Sequence, residues 1–486
     1  MTTVVLANAY FYKLDAKQWR FHQPYPPLGA LVAAAVLRQA GFRVVFADMS
    51  LADDAQQLLP VIDREKPKYV VVYDDGFNYL TKMCLTVMRE ATFAMTRLAR
   101  QHGAVVIINS SDATDHYQKY LDEGVDYVIR GEGEETLREL LSGLESQQDI
   151  HHLPGTVCQH GGTIHVNPLR PVLRDLDTLP LPAWDLVDFA PYREHWLRHH
   201  GYFSLNLATT RGCPYKCNWC AKPIYGNRYN VRSPKSVVQE MMWLHQLAQP
   251  DHFWMADDIF GLKPGWIRDF ADVVKANNCI TPYKIQSRAD LLLEEETISL
   301  LAASGCKTVW IGAESGSQKI LDAMDKGTTI AQIREATRQL RSQHIEVGYF
   351  LQFGYPGESR EDIEATLQMV LNQMPDEIGI SVSYPLPGTK FHERVKAELS
   401  TKQNWVDSDD LAMLYQSPLP PAYYKLLQRY VHSRFRMRRG VLRLKALPQQ
   451  PLLNKKDFRK LASMLYHTPL SWLQGYRLHK IAPAHE

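Results

Sequence analysis

Arg211-Gly212-Cys213-Pro214-Tyr215-Lys216-Cys217-Asn218-Trp219-Cys220 is the stretch that decides how this chain reads. Its three cysteines follow the spacing CxxxCxxC within eight residues. Thiolates this close together hold three irons of a cubic 4Fe–4S cluster. The sequence offers no fourth cysteine nearby, so one iron keeps an open position. An open iron is a place for chemistry as well as electron storage. A structural zinc site wants four closed ligands, usually as two pairs, and the second pair is missing here. His245 and His252 are the residues left to complete such a site. A disulfide framework is the weaker alternative, because seven cysteines are few for 486 residues and no signal peptide is visible.

Outward from this stretch, Phe203, Leu205 and Leu207 alternate as a strand that ends just before the cysteine loop. Further strands are predicted at 252–256, 283–286, 308–312, 347–353 and 378–384. Helices are predicted between them at 235–247, 264–276, 295–303, 318–324, 330–342 and 361–372. Six strand–helix units predict a partial barrel over 196–395, since an eight-fold barrel needs more chain. Barrel chemistry belongs at the C-terminal ends of strands, which is where the cysteine loop falls. Asp257-Asp258, Glu314-Ser315-Gly316, the run 354–358 (GYPGE) and the run 385–389 (PLPGT) occupy later strand ends. Each alone is generic turn chemistry.

Residues 1–145 read differently. Short apolar runs at 4–7, 43–47, 69–73, 104–108 and 127–129 alternate with helical periods at 28–39, 55–64 and 82–101. That alternation predicts a doubly wound parallel sheet, which binds ligands beyond the carboxyl ends of its strands. The loops placed there are 8–12, 48–50, 74–76 and 109–114. Tyr25-Pro26-Pro27-Leu28-Gly29 precedes the first long helix, stiffened by two prolines and open to close approach at Gly29. Arg130-Gly131-Glu132-Gly133-Glu134-Glu135 follows the last strand, with acidic residues suited to a helix N-terminus.

A proline-punctuated linker is expected over 146–195, with Leu176 and Leu179 as packing anchors. A basic, mostly helical region follows over 396–486. Its run 432–439 mixes cations and apolar groups. That run reads either as an amphipathic face for a membrane surface or anionic substrate, or as a solvated helix packed on the barrel. Trp405 and the acidic residues 407–410 suggest part of a lid. Formal net charge is +2, and no run reaches the ~18 apolar residues of a membrane span. Scattered cysteines and the absence of a basic leader point to the cytoplasm, where thiols stay reduced.

Cys213, Cys217 and Cys220, with Trp219 before the last cysteine, resemble the signature of the radical S-adenosylmethionine (SAM) superfamily. In that family the open iron is chelated by SAM, which is cleaved to a 5′-deoxyadenosyl radical. The segments around Pro27, Leu28 and Gly29 and around Gly131 and Glu132 resemble the opening and closing motifs of the cobalamin-binding domain that precedes many such barrels. The resemblance spans about residues 1–395. The fold it implies is α/β: a Rossmann-like cobalamin-binding sheet, then a partial radical SAM (β/α)6 barrel, then a helical tail. It further implies three cofactors: a 4Fe–4S cluster, SAM and cobalamin. Trp219, Asp257, Glu314 and Ser315 are the implied SAM-binding residues. Pro27, Leu28, Gly29, Thr114, Gly131 and Glu132 are the implied cobalamin-binding residues. The Asp-x-His-x-x-Gly pattern that supplies a lower axial histidine is absent, because Asp115-His116 has the wrong spacing.

The activity implied is C–H activation followed by C-methylation of a small-molecule or lipid-like substrate, with flavodoxin or ferredoxin as electron donor. An oxidative cyclase of the anaerobic magnesium-protoporphyrin ester type uses the same machinery without methyl transfer. A methylthiotransferase is disfavoured, because Cys84 alone cannot supply a second cluster. A non-catalytic cobalamin sensor or carrier leaves the cysteine triad unexplained. Nucleic-acid binding rests only on the basic tail and has no recognisable module behind it, so no nucleic-acid partner is expected.

Overall fold

The computed structural model describes residues 2–222, 224–399, 402–448 and 455–481. Two parallel sheets organise the chain. The first contains β1 (Thr3–Ala7), β2 (Arg43–Ala47), β3 (Tyr69–Tyr73), β4 (Val105–Asn109) and β5 (Tyr127–Ile129), paired in the order 2-1-3-4-5. Every pairing among these five is parallel, as runs of Val, Ile and Leu buried on both faces require. Helix Leu28–Gln39 is nearly all apolar and buried, because it lies between the sheet and the connector.

The sheet continues past residue 145. β6 (Thr156–His160) and β7 (Thr163–Val166) add an antiparallel hairpin at its edge, so the expected linker contributes two strands. The Gly161-Gly162 turn, with φ of +58° and +79°, closes that hairpin. The rest of the connector fits the proline-rich reading, with Leu176 buried and Leu179 packed against the core.

The second sheet consists of β8 (Ser204–Leu207), β11 (His252–Met255), β12 (Tyr283–Ser287), β13 (Cys306–Glu314), β14 (Glu346–Phe353) and β15 (Glu377–Val382). They pair in chain order, all parallel. This is the expected half-barrel. A short antiparallel pair, β9 (Thr210–Arg211) and β10 (Asn230–Val231), brackets the cysteine loop at the end of β8.

One predicted helix is shorter than expected. The period over 82–101 resolves into a 3-10 turn (Tyr79–Met83) and a helix (Thr86–Gln101), separated by Cys84 at φ +53°. The break frees Lys82 from the helix and lets it reach the barrel.

The C-terminal region is a hairpin of two long helices, Pro421–Ala446 and Lys455–Lys480. The first buries Tyr423, Tyr424, Leu427, Val431 and Phe435 against the barrel core, which is the packed-helix reading. A Cβ on Gly440 would sit 2.3 Å from Met464 Cβ, so glycine is what lets the two helices touch. The stretch around Trp405 is a packed strap. Trp405 is buried, its carbonyl and that of Val406 accept from Thr86 and Val87, and Ser408 hydrogen-bonds Asp15. The acidic run is likewise paired, Asp409 with Arg20 and Asp410 with Lys402.

Candidate active site at the meeting of two sheets

The cysteine loop is fixed by its neighbours. Gly212 has φ +76°, and a Cβ there would lie 2.5 Å from Arg228 O, so this position requires glycine. Asn218 ties the loop to the far side of the barrel. Its side-chain amide donates to Ala323 O (2.7 Å), and its amide oxygen accepts from Tyr355 Oη (2.8 Å). Its backbone donates to Met324 O and accepts from Phe391 N. Arg288 lies 3.8 Å over the Tyr215 ring. Cys213, Cys217 and Cys220 are half-buried and free of disulfides, on the loop that follows the C-terminal end of β8. Burial pushes the Cys213 thiol up and the Cys220 thiol up to about 11. The other four cysteines are buried within the fold.

Trp219 packs against the small core of Ile320, Met324, Tyr355 and Phe391. Its indole Nε1 is buried with no hydrogen-bond partner among the described residues. A buried donor without a partner is costly, so this group fits a site that a ligand completes.

The other residues expected near SAM fall at the same strand ends with different local partners. Glu314, at φ +56°, ends β13 and accepts from buried Lys326 (2.8 Å). Asp257 is buried, and its carboxylate accepts from Thr209 N (2.7 Å), Thr210 N (2.8 Å) and the Thr209 hydroxyl. Burial raises its pKa to about 6, against the pull of these bonds. It therefore fixes the turn leading into the cysteine loop rather than presenting a free carboxylate. Ser315 is fully buried and turned inward, where its hydroxyl meets Thr366 (3.1 Å) and accepts from Ser317 N. Both arrangements have one cause: a buried polar group near a turn binds the nearest backbone donors first.

The first sheet presents its own strand ends to this mouth. The turn 25–29 is built against the barrel. Pro26 O accepts from Asn206 Nδ2 of β8 (3.0 Å), and Pro24 O accepts from Trp196 Nε1 (2.7 Å). Pro27 caps the helix that Leu28 and Gly29 begin. Gly29 N donates to Asp75 Oδ1 (3.1 Å), and a Cβ there would come within 3.0 Å of Asp74 O. Thr114 and Gly131 meet, the Gly131 amide donating to the Thr114 hydroxyl at 3.5 Å. Three buried polar atoms on the adjoining segments have no hydrogen-bond partner among the described residues: Ser111 Oγ, His116 Nε2 and Arg130 Nε. His116 Nε2 stands 3.8 Å from Asp112 Oδ1, too far for a hydrogen bond. Helix Ser111–Asp122 is kinked at His116. Sequence reasoning selected Thr114 here, weighed His116 only for the axial-histidine pattern, and read Arg130 only as part of the closing motif. Only the fold puts loops 110–116 and 130–131 side by side.

Glu132 also has its own structural partners. Its two carboxylate oxygens accept from Arg211 (2.5 Å) and from Leu173 N. Glu134 takes the rest of the guanidinium, 2.8 Å from Nη2. Arg211 is two residues before Cys213, so the closing motif of one sheet is clamped to the cysteine loop of the other. A second link has the same form: Lys82, in the 3-10 turn that follows β3, pairs with Asp258 beyond β11. Burial alone would lower the Lys82 pKa, but Asp258 and the Cys220 and Cys213 thiols together raise it.

With this geometry in hand, comparison with known proteins identifies the parts. The radical SAM superfamily profile matches residues 207–370, and the B12 binding domain profile matches residues 20–141. This chain belongs to the radical SAM enzymes that carry a B12-binding domain. An uncharacterized methyltransferase of Pyrococcus horikoshii is 27% identical over 385 residues, 78% of this chain and 81% of that protein. The anaerobic magnesium-protoporphyrin IX monomethyl ester cyclase of Synechocystis is 25% identical, over 76% of this chain and 72% of its own. Among solved structures, the cobalamin-dependent SAM radical enzyme OxsB with aqua-cobalamin and SAM bound superposes with a TM-score of 0.73. It covers 97% of this chain and 72% of its own at 17% identity, a likeness of fold. A cysteine triad in the radical SAM domain and buried, unpartnered polar atoms in the B12-binding domain fit a 4Fe–4S cluster with SAM and a cobalamin.

Proposed function

We propose that this chain methylates an unactivated carbon of a small-molecule or lipid-like substrate in the cytoplasm, as a cobalamin-dependent radical SAM enzyme. The observation carrying this reading is the Arg211 clamp. It joins the cysteine loop to the closing motif of the B12-binding domain and holds two cofactor mouths against each other. Cys213, Cys217 and Cys220 hold the cluster. Trp219 lies against SAM, with its Nε1 free to donate. Glu314 and Lys326 form a polar pair at the next mouth position. Pro27, Leu28, Gly29, Thr114 and Gly131 shape the cobalamin cradle, and Ser111, His116 and Arg130 offer it unpaired polar atoms. When bound, these groups supply a carbon-centred radical and a methyl donor. The protein's part is alignment and exclusion of water.

A flavodoxin or ferredoxin is the electron donor in this reading. The similarity to the cyclase supports a second outcome, oxidative ring formation with no methyl transfer. Anaerobic turnover with methyl-labelled SAM separates the two. Label in an isolated product supports methylation. Its absence, with 5′-deoxyadenosine still formed, supports the second outcome.

The helical tail supports contact with an anionic membrane surface. No helix among the described residues is long and apolar enough to cross a membrane. Phe458, Leu465 and Trp472 recur every seventh residue on the outer helix and are 60%, 71% and 78% exposed. The two helices carry eight and six Lys or Arg residues against a single carboxylate, Asp457. An apolar stripe flanked by cations suits an anionic interface. Co-sedimentation with phosphatidylglycerol vesicles, weakened by salt and by Trp472→Ser, is the expected result. Equal recovery with neutral vesicles, or no effect of Trp472→Ser, would contradict it.

A further inference from the structure

We propose that His22, His195 and His199 form a metal site, separate from the cysteine loop, that takes a first-row divalent cation such as zinc. Among the described residues, these are the three whose ligating nitrogens come within 4.8 Å of one another. The group lies where the first sheet's entry segment meets the connector.

His195 and His199 are one helical turn apart on Phe189–His200, so both project from one face. His22 comes from elsewhere in the chain. It ends the helix Ala16–Phe21 in the left-handed conformation, at φ +54°, which only a minority of side chains adopt. Two contacts hold it there. Its amide donates to Trp19 O (3.1 Å), and its carbonyl accepts from His200 Nε2 (2.8 Å). Trp19 stands against His195 with ring centroids 4.8 Å apart. A backbone bond and an aromatic wall therefore orient the donors, as the contacts behind the ligands do in metal sites.

The distances suit a small cation. His22 Nδ1 and His195 Nε2 are 3.2 Å apart. Two nitrogens on one tetrahedral zinc, each at about 2.0–2.1 Å, stand ~3.3 Å apart. His199 stacks on His22 with ring centroids 3.6 Å apart and planes 7° from parallel. It is exposed, and its ligating nitrogen already lies within 4.8 Å of the other two. Three imidazoles leave a fourth position for water, and this ligand set favours zinc, nickel or copper over calcium or magnesium.

The site would act as a brace. Trp196, on the same helix, donates to Pro24 O, and the turn 25–29 runs on from there to the barrel. A metal held by His22 and His195 would pin the entry segment to the connector on the outer side of that turn.

The test uses full-length protein with its iron–sulfur cluster assembled, so that the cysteines are already occupied. Zinc is titrated by calorimetry, and the complex is examined by zinc K-edge X-ray absorption. The expected result is one equivalent bound, with nitrogen ligands and the multiple scattering of imidazole rings. His199→Ala, an exposed substitution, should weaken binding at least tenfold, with cluster content and circular dichroism unchanged. His195→Ala should do the same. Sulfur ligation, no binding, or binding by either variant as tight as that of the natural protein would overturn the proposal.

Discussion

Arg211 and Glu132 form a buried ion pair, 2.5 Å between Nη1 and Oε1, that joins the cysteine loop to the closing motif of the B12-binding domain. Both side chains are nearly inaccessible, and Glu134 completes the pair. Removing one partner of such a pair leaves an uncompensated charge and costs about 3–5 kcal/mol. Arg211→Met is therefore expected to lower the unfolding midpoint sharply and to expose the interface to protease. Lysine is not a substitute, because a point charge cannot serve two carboxylates in a fork. Arg211→Lys should recover only part of the loss, measured by denaturant unfolding of anaerobic protein.

Lys82 places a cation beside the cysteine loop from the opposite sheet. A nearby positive charge favours the reduced, more negative cluster. Lys82→Met should shift the cluster midpoint to more negative potential, by tens of millivolts on the order expected for one partly screened charge. Redox titration followed by electron paramagnetic resonance reads the shift. An unchanged midpoint would separate Lys82 from the cluster's electrostatics.

Gly29 lets the chain pass close to Asp74 O and Asp75. Gly29→Val should displace that turn, at about 1–3 kcal/mol for an overpacked site, and weaken cobalamin retention. Iron and sulfide content should be unaffected, because the cysteine loop lies on the other sheet. Equilibrium dialysis against hydroxocobalamin measures the first effect, and iron analysis checks the second.

Glu358 sits at the end of the turn after β14 and accepts from Gly354 N (2.6 Å). Burial raises its pKa from 4.5 to about 8. The folded state therefore holds a proton that the unfolded state releases, and stability falls as pH rises from about 4.5 to about 8. Glu358→Gln keeps the shape without the ionisation. Its stability relative to the natural protein should rise across that pH window and level off above it, as measured by urea midpoints.

Both sheets were legible in the sequence because parallel strands buried on two faces leave short, unbroken apolar runs, as at 69–73 and 347–353. The cysteine loop was legible because a cluster imposes spacing on contiguous residues. What could not be read were partners distant in sequence. Arg211 gave no sign of meeting Glu132 and Glu134 across 77 positions or more. Asp257 and Ser315 lie where expected, yet local backbone donors and a buried threonine claim their side chains. That Ser111, His116 and Arg130 carry unpaired polar atoms became visible only in the folded interior. The β6–β7 hairpin was missed because its strands are short, half polar and set in a proline-rich stretch.

All of the proposed chemistry depends on three thiols holding a cubane with one vacant corner for a sulfonium cofactor. Mössbauer spectroscopy of anaerobically reconstituted protein, recorded with and without SAM, tests it most directly. The expected spectrum is a 4Fe–4S signal in which one iron site alone changes when SAM is added, and which is lost in Cys217→Ala. A spectrum indifferent to SAM, or a cubane that persists after Cys213, Cys217 and Cys220 are all replaced by alanine, would contradict it.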